Sequence, residues 1–156
     1  MASPLKTFKI TSTYLDNGEW REEIDFKENR HRNVDLAAYP WPGLYSISPD
    51  DRWILRIQKT GSGENIAILY AVDSARRVLE VIGLNSAAWS YCDTFSRLKS
   101  TMLYHTGADL ESVVWEMEDH TVWVTLSGSN SEKSGDGISE KIGYNLEEGT
   151  FFRGRE

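Results

Sequence analysis

The sequence predicts an all-β fold, a single antiparallel, sandwich-like domain over residues 1–156. Two observations predict it: short runs of alternating apolar residues separated by turn-forming residues, and a helical pattern at one place only, near residues 87–99. A chain of 156 residues, 40% of them hydrophobic, is long enough to bury a core of its own.

The first part of the chain predicts a hairpin followed by a stiff connector. Residues 7–13 and Trp20–Phe26 form alternating strands on either side of Asn17-Gly18, a pair typical of two-residue hairpin turns. The charged segment Lys27–Asp35 predicts a solvated edge or loop. In Ala38–Gly43, two prolines flank Trp41 and force the residues before them into extended conformation, which predicts a rigid connector.

Residues 45–73 predict the central hairpin of the fold. A Pro49-Asp50-Asp51 turn precedes one strand, and the Gly/Ser loop 60–63 reverses the chain into a second strand at 66–70. The apolar residues that alternate along the first of these strands are Trp53, Leu55 and Ile57.

The second half of the chain predicts one helix and four more strands. Asn85 or Ser86 is a suitable cap for the helix near residues 87–99. One helical face would carry Ala88, Cys92, Phe95 and Leu98. The predicted strands are 112–117, 121–126, 138–145 and 150–153, with a Gly/Ser-rich loop at 127–137.

An internal repeat links the two halves. One copy runs from Asp50 through a Gly/Ser loop to Tyr70 and Val72, and then through a turn to Val78-Leu79. The other runs from Asp119 through a longer loop to Tyr144 and Leu146, and then through a turn to Phe151-Phe152. With its Ser-Pro-Asp turn before an apolar strand, the first copy resembles the repeats of β-propeller proteins of the TolB and WD40 type. Closed propellers usually have at least four blades, and this chain holds about three units, so the resemblance implies a partial-propeller-like domain.

The net charge and composition indicate which kinds of binding partner suit the chain. The net charge of −7 disfavours nucleic acid and anionic membranes, because both require clustered Lys and Arg. It suits a basic protein partner. The single cysteine, Cys92, excludes an intrachain disulfide, and the N-terminus has no apolar signal sequence. The sequence as given therefore predicts a cytoplasmic protein, or an exported one if the N-terminus was trimmed.

No motif predicts an enzyme, a cofactor or a metal site. Ser96 and Lys99 have the Ser-x-x-Lys spacing of β-lactamases and penicillin-binding proteins. In those enzymes a Lys-Thr-Gly motif follows in the chain, whereas here Lys59-Thr60-Gly61 precedes Ser96. Adjacent pairs of carboxylates and the closely spaced glycines lie at predicted turns, where turn formation accounts for these residue types. None of His31, His105 and His120 has ligand spacing. A hydrolase that uses His105 with a nearby carboxylate remains a third functional alternative.

The aromatic residues of the connector are the leading binding candidates: Tyr39, Trp41 and Tyr45. Rigid aromatics on loops are typical interface anchors. We therefore expect a non-enzymatic protein-binding domain, of which an inhibitor or immunity-type protein is one form.

The alternative function is binding of a sugar or apolar ligand in a pocket between sheets, lined by Trp53, Trp115 and Trp123. We also expect a homodimer through an edge strand, because a partial propeller leaves open edges.

Overall fold

Three antiparallel sheets make up most of the protein, and the all-β prediction is confirmed. The computed structural model describes residues 1–27, 33–61, 64–92, 105–108, 110–129 and 137–153. Sheet 1 contains β1 (Phe8–Tyr14), β2 (Trp20–Phe26) and β3 (Asn33–Tyr39). Sheet 2 contains β4 (Leu44–Ile47), β5 (Trp53–Gly61), β6 (Glu64–Val72) and β7 (Val78–Gly83). Sheet 3 contains β8 (His105–Ala108), β9 (Val114–Glu116), β10 (Thr121–Ser129), β11 (Gly137–Asn145) and β12 (Thr150–Arg153).

Sheets 1 and 2 are meanders, in which each strand pairs with the next along the chain. In sheet 3 the order across the sheet is β12-β11-β10-β8, and β9 pairs with another stretch of β10. The two copies of the predicted repeat correspond to β5-β6-β7 and β10-β11-β12, each a run of three antiparallel strands. Among the described residues, β8 and β9 precede the second copy, whereas only β4 precedes the first within its sheet.

The helix α1 (Leu84–Cys92) begins earlier than the sequence predicts. Leu84 and Ala88 are fully buried in the core, so burial of this turn sets the start of the helix, not the predicted cap at Asn85 or Ser86. The rest of the predicted range, 93–99, lies outside the described residues. No helix of the described ranges has the length and apolar character needed to cross a membrane.

Strand β3 occupies residues that the sequence assigns to the charged segment and to the start of the connector. It lies at the edge of sheet 1 and pairs with β2, with an irregularity in the register between Trp20 and Glu22. The strand ends at Tyr39, because Pro40 has no N–H to donate to the ladder. The irregular connector is therefore shorter than predicted.

Sheet 2 lies between the other two sheets, and both of its faces are buried. One face packs against sheet 1 through a core that consists of Phe8, Ile10, Ile24, Phe26, Tyr45, Ile47, Ile54, Ile68, Tyr70 and Val72. The other face packs against sheet 3 and α1 through Leu55, Ile57, Ala67, Leu69, Leu84, Ala88, Val122, Val124, Leu126, Ile142, Tyr144 and Leu146. Successive residues of β5 and β6 thus alternate between two cores.

Candidate functional site

The proline-containing connector joins sheet 1 to sheet 2. It leaves β3 after Tyr39 and enters β4 at Leu44, and Trp41 stands between Pro40 and Pro42. The two prolines fix φ at their positions and restrict the residues before them. Covalent geometry alone therefore makes this segment stiffer than an ordinary loop.

Two buried polar side chains of β5 lie beneath the connector. Arg56 and Gln58 are both fully buried on the face of sheet 2 that packs against sheet 1. Arg56 donates from Nε (3.0 Å) and Nη2 (2.7 Å) to Gln58 Oε1, and also from Nη2 to the Ala37 carbonyl (2.7 Å). The guanidinium therefore ties β5 to the end of β3.

Gln58 fixes the backbone at Trp41. Its Nε2 donates to the Trp41 carbonyl (2.9 Å) and to the Lys59 carbonyl (2.9 Å). The Lys59 ammonium lies 5.1 Å from the centre of the Trp41 ring, within range of a cation–π interaction. The Trp41 side chain is half-buried, so part of it remains accessible to solvent. Trp41 is thus fixed by a hydrogen bond to its carbonyl and by a cation–π interaction with its ring.

The end of the connector is fixed by Glu22 of β2. The Gly43 N–H donates to Glu22 Oε1 (2.5 Å), and the Ser12 hydroxyl donates to the other carboxylate oxygen. A Cβ at Gly43 would lie 2.9 Å from the Tyr45 hydroxyl oxygen and 3.1 Å from Arg56 Nε. Only glycine therefore allows this close approach of the connector to the cluster.

The three predicted connector aromatics differ in their exposure to solvent. Tyr39 is half-buried, and its ring centre lies 5.1 Å from Arg56 Cζ. Tyr45 is buried in the core between sheets 1 and 2, where its ring centre lies 5.9 Å from Arg56 Cζ. Burial raises the pKa of Tyr45 far above its ordinary value, although the guanidinium acts in the opposite direction. Trp41 and Tyr39 are accessible in part, and Tyr45 is a core residue.

An open depression of about 490 Å³ lies next to the connector. Its lining combines residues of β1, the end of the connector, β4 and the short 3-10 helix Leu110–Ser112, and includes Ile10, Ser12, Gly43, Leu44, Tyr45 and Leu110. The Leu44 side chain at its rim is 55% exposed. The depression therefore adds apolar side chains at the end of the connector, two residues after Trp41.

The three tryptophans predicted to line a ligand pocket do not lie on one face of the sheets. Trp53 and Trp115 are half-buried and pack against the core between sheets 2 and 3. Trp115 Nε1 donates to the Ser46 hydroxyl (2.8 Å), which links β9 to β4. Trp123 lies on the opposite face of sheet 3, with its ring centre 4.9 Å from that of Phe152. The structure thus places two of the three residues against the same core.

Polar residues considered for catalysis are dispersed. His120 ends a 3-10 helix with positive φ, and its Nδ1 lies 3.4 Å from the exposed Glu147 carboxylate. His105 begins β8, but its side chain and all of His31 lie outside the described part of the structure. No group of three His, Cys, Asp or Glu residues that could hold a metal occurs among the described residues.

The sequence pattern does not predict the buried polar residues of the site, namely Glu22, Arg56 and Gln58. In the alternating pattern of β5, Arg56 and Gln58 occupy the positions that a half-buried strand turns to solvent. A usable signal was Ile54, which lies on the same face as Arg56 and indicates that both faces of the strand are covered.

Comparisons with known proteins add a weak similarity of fold. No protein-family model matches the sequence, and no curated protein matches it. A solved structure, TolB from Acinetobacter baumannii, is similar with a TM-score of 0.45 and 13% sequence identity. The similarity covers 97% of this chain but 30% of that one, so the chain spans less than a third of the length of TolB. The similarity agrees with a weak resemblance to TolB-type repeats and goes no further.

Proposed function

We propose that the protein is a non-enzymatic protein-binding domain and that the connector around Trp41 is its principal contact surface. One observation carries the proposal: fully buried Arg56 and Gln58 donate hydrogen bonds to the backbone carbonyls of Ala37 and Trp41. Burying a charged and an amide side chain is costly unless their hydrogen bonds are made. Here those bonds fix a surface segment in one conformation.

A rigid segment with an accessible indole is well suited to binding. An anchor that is already ordered loses little conformational entropy when a partner covers it. Trp is enriched among the residues that dominate binding energy at protein interfaces. Leu44 and the neighbouring depression supply further apolar surface for a partner side chain. The arrangement therefore supports recognition of a protein surface or peptide.

The net charge of −7 supports a basic protein as the partner. Complementary charge accelerates association and makes it sensitive to salt. The contacts that the partner makes with Trp41 would determine how long the complex persists. An inhibitor or immunity-type protein that binds a basic target is one concrete form of this function.

The proposal is tested by affinity capture from a lysate of the source organism at low and high salt, with three baits. The wild-type protein should retain a basic protein at low salt and release it at high salt. The Trp41→Ala variant should retain at least about tenfold less, the loss expected for a hot-spot residue. Tyr14→Ala, which removes a 62%-exposed aromatic in sheet 1, is the control and should behave as wild type.

Circular dichroism must first show that both variants are folded. Capture of no partner at either salt concentration would contradict the proposed function. Equal retention of the partner by the wild-type and Trp41→Ala proteins would place the contact surface elsewhere.

A further inference from the structure

The outer faces of sheets 1 and 3, the two ends of the stack, differ in chemistry. The residues of sheet 1 that point away from the core are polar or charged: Lys9, Thr11, Thr13, Arg21, Glu23, Asp25 and Asp35. Such a face is stable in water, like the capping units of repeat proteins. The same position on sheet 3 carries Val114, Trp123 and Phe152, which form one row across the sheet.

The apolar row on sheet 3 is a built feature of the fold. Trp123 and Phe152 meet edge to face over Gly143, with an interplanar angle of 83°. A Cβ at Gly143 would lie 2.7 Å from the Phe152 ring and 3.0 Å from the Trp123 ring, so glycine makes room for both. Val114 extends the row and is 47% exposed. Trp123 and Phe152 are half-buried, so the row presents a small apolar surface with Val114 as its most exposed member.

Two opposite charges flank this row symmetrically. Lys141 lies one strand from Trp123 on one side and two residues further along, next to Thr125, and its ammonium lies 5.3 Å from the centre of the Trp123 ring. Glu116 lies one strand away on the other side and two residues in the opposite direction, next to Thr121. Within the described part of the face, strand alternation assigns no other charged side chain to it.

We propose that the outer face of sheet 3 is a self-association surface, on which a second copy of the chain packs face to face. A two-fold axis in the plane of the interface, through the Trp123 position and perpendicular to the line from Glu116 to Lys141, places the two Trp123 side chains opposite each other, where the two apolar rows cross. It places each Lys141 opposite the second copy's Glu116, so that both ion pairs form together. A single copy of the face thus carries complementary charges for another copy.

Charge also favours this face over the rest of the surface for self-association. The whole chain carries a net charge of −7, so two copies repel each other over most orientations. On the described part of this face, one cation and one anion cancel, and the apolar row lies between them. Two copies therefore meet here with little net repulsion and with apolar area to bury.

The face differs from the edge-strand dimer that the sequence predicts. The edge of β1 is already bridged by the N-terminal segment, through Ala2 and Lys9, and β4 and β12 have only four residues each. Strand β7 is a better edge, since Leu79 is 53% exposed and no described strand pairs with its outer side. Dimerisation through β7 is therefore the competing arrangement.

Sedimentation equilibrium over a range of concentrations tests the proposal with a charge exchange. We expect Glu116→Lys and Lys141→Glu each to weaken association by about tenfold or more, because each change replaces two attractions by two repulsions. The double variant should restore association to near the wild-type value. Asp35→Lys makes the same change of charge on the outer face of sheet 1 and should have little effect.

The proposal is overturned if the wild-type protein is monomeric up to about millimolar concentration, the weak limit of a measurable affinity. It is also overturned if the double variant fails to recover association. Loss of the dimer in Leu79→Lys, with the charge variants at wild-type affinity, would assign the dimer to β7 instead.

Discussion

Arg56 shows how a single buried residue organises the candidate site. Its side chain is fully buried, and among the described residues it forms no ion pair with a carboxylate. Its Nε and Nη2 donate instead to the Gln58 side chain and to the Ala37 carbonyl, whereas its Nη1 is buried without a hydrogen-bond partner among the described residues. A buried charge without hydrogen bonds costs several kcal/mol, so Arg56, Gln58 and the connector backbone depend on one another.

A second buried residue, Asp51, fixes the N-terminal segment to sheet 2. Its Oδ2 accepts hydrogen bonds from the hydroxyls of Ser3 (2.6 Å) and Thr7 (2.7 Å), and its Oδ1 accepts from the Leu5 N–H (3.1 Å). Burial alone would raise the pKa of Asp51, but the hydrogen bonds from Ser3, Thr7 and Leu5 outweigh it and leave the pKa below its ordinary value.

This depressed pKa predicts a pH-dependent contribution to stability. The contribution is present above the unfolded-state pKa of about 3.9 and is lost as pH falls through the lower folded-state value. Asp51→Asn should lower the free energy of unfolding at pH 7 by about 1–3 kcal/mol and flatten its decline in acid. Asn tolerates the positive φ of this position.

Urea unfolding between about pH 2 and pH 7 measures this effect on the free energy of unfolding. Glu118→Gln, at an exposed carboxylate, is the control with the same change of charge. An unchanged acid limb in Asp51→Asn would show that Asp51 does not carry the pH dependence.

Gly143 provides a test of the packing on sheet 3. Gly143→Ala should reduce the free energy of unfolding by about 1–3 kcal/mol, because its Cβ collides with the Phe152 and Trp123 rings. Gly83→Ala is the matched control, since a Cβ there meets no atom within 4 Å. Thermal unfolding compares the two, and equal effects would mean that the rings move aside freely.

At the scale of elements, the sequence predicts hairpins well wherever turn chemistry is local. In the turn before β5, the Ser48 hydroxyl donates to Asp50 Oδ1 (2.6 Å) and Asp50 Oδ1 also accepts from the Arg52 N–H (3.1 Å). These contacts use neighbours in the chain, so residue types reveal them. The start of α1 and the strand character of β3 depend on distant partners, and the sequence alone predicts them poorly.

The edge strands β4 and β9 are joined by one side-chain hydrogen bond, from Trp115 to Ser46. Trp115→Phe and Ser46→Ala should each destabilise the protein, and the double variant should show a coupling of about 0.5–1.5 kcal/mol. A double-mutant cycle in urea measures that coupling. Strictly additive effects would show that this hydrogen bond contributes nothing to the attachment of sheet 3.

At the scale of the whole molecule, sheet 2 has a buried layer on each side. The sequence predicts antiparallel strands but not the two-sided burial, because the partners of each face are fixed by contacts between distant segments. Arg56 and Gln58 illustrate the consequence: they are polar residues at buried positions, and only the covering sheet 1 makes them part of a site.

The shared central sheet predicts one cooperative unfolding transition for residues 1–156. Leu55→Ala should destabilise the protein by about 2–5 kcal/mol, because its side chain is fully buried between sheets 2 and 3. Tryptophan fluorescence and far-UV circular dichroism should report the same midpoint in the wild type and in the variant. Two separate transitions would mean that the sheets fold as independent units.

The central claim is that the stack of sheets holds the connector rigid around Trp41. Backbone ¹⁵N relaxation of Ala38, Tyr39, Trp41 and Gly43 tests it most directly. We predict order parameters of about 0.85, as in rigid strands, and a decrease in Gln58→Leu, which removes the hydrogen bond to the Trp41 carbonyl. Wild-type values below about 0.6 would show a flexible connector and contradict the account.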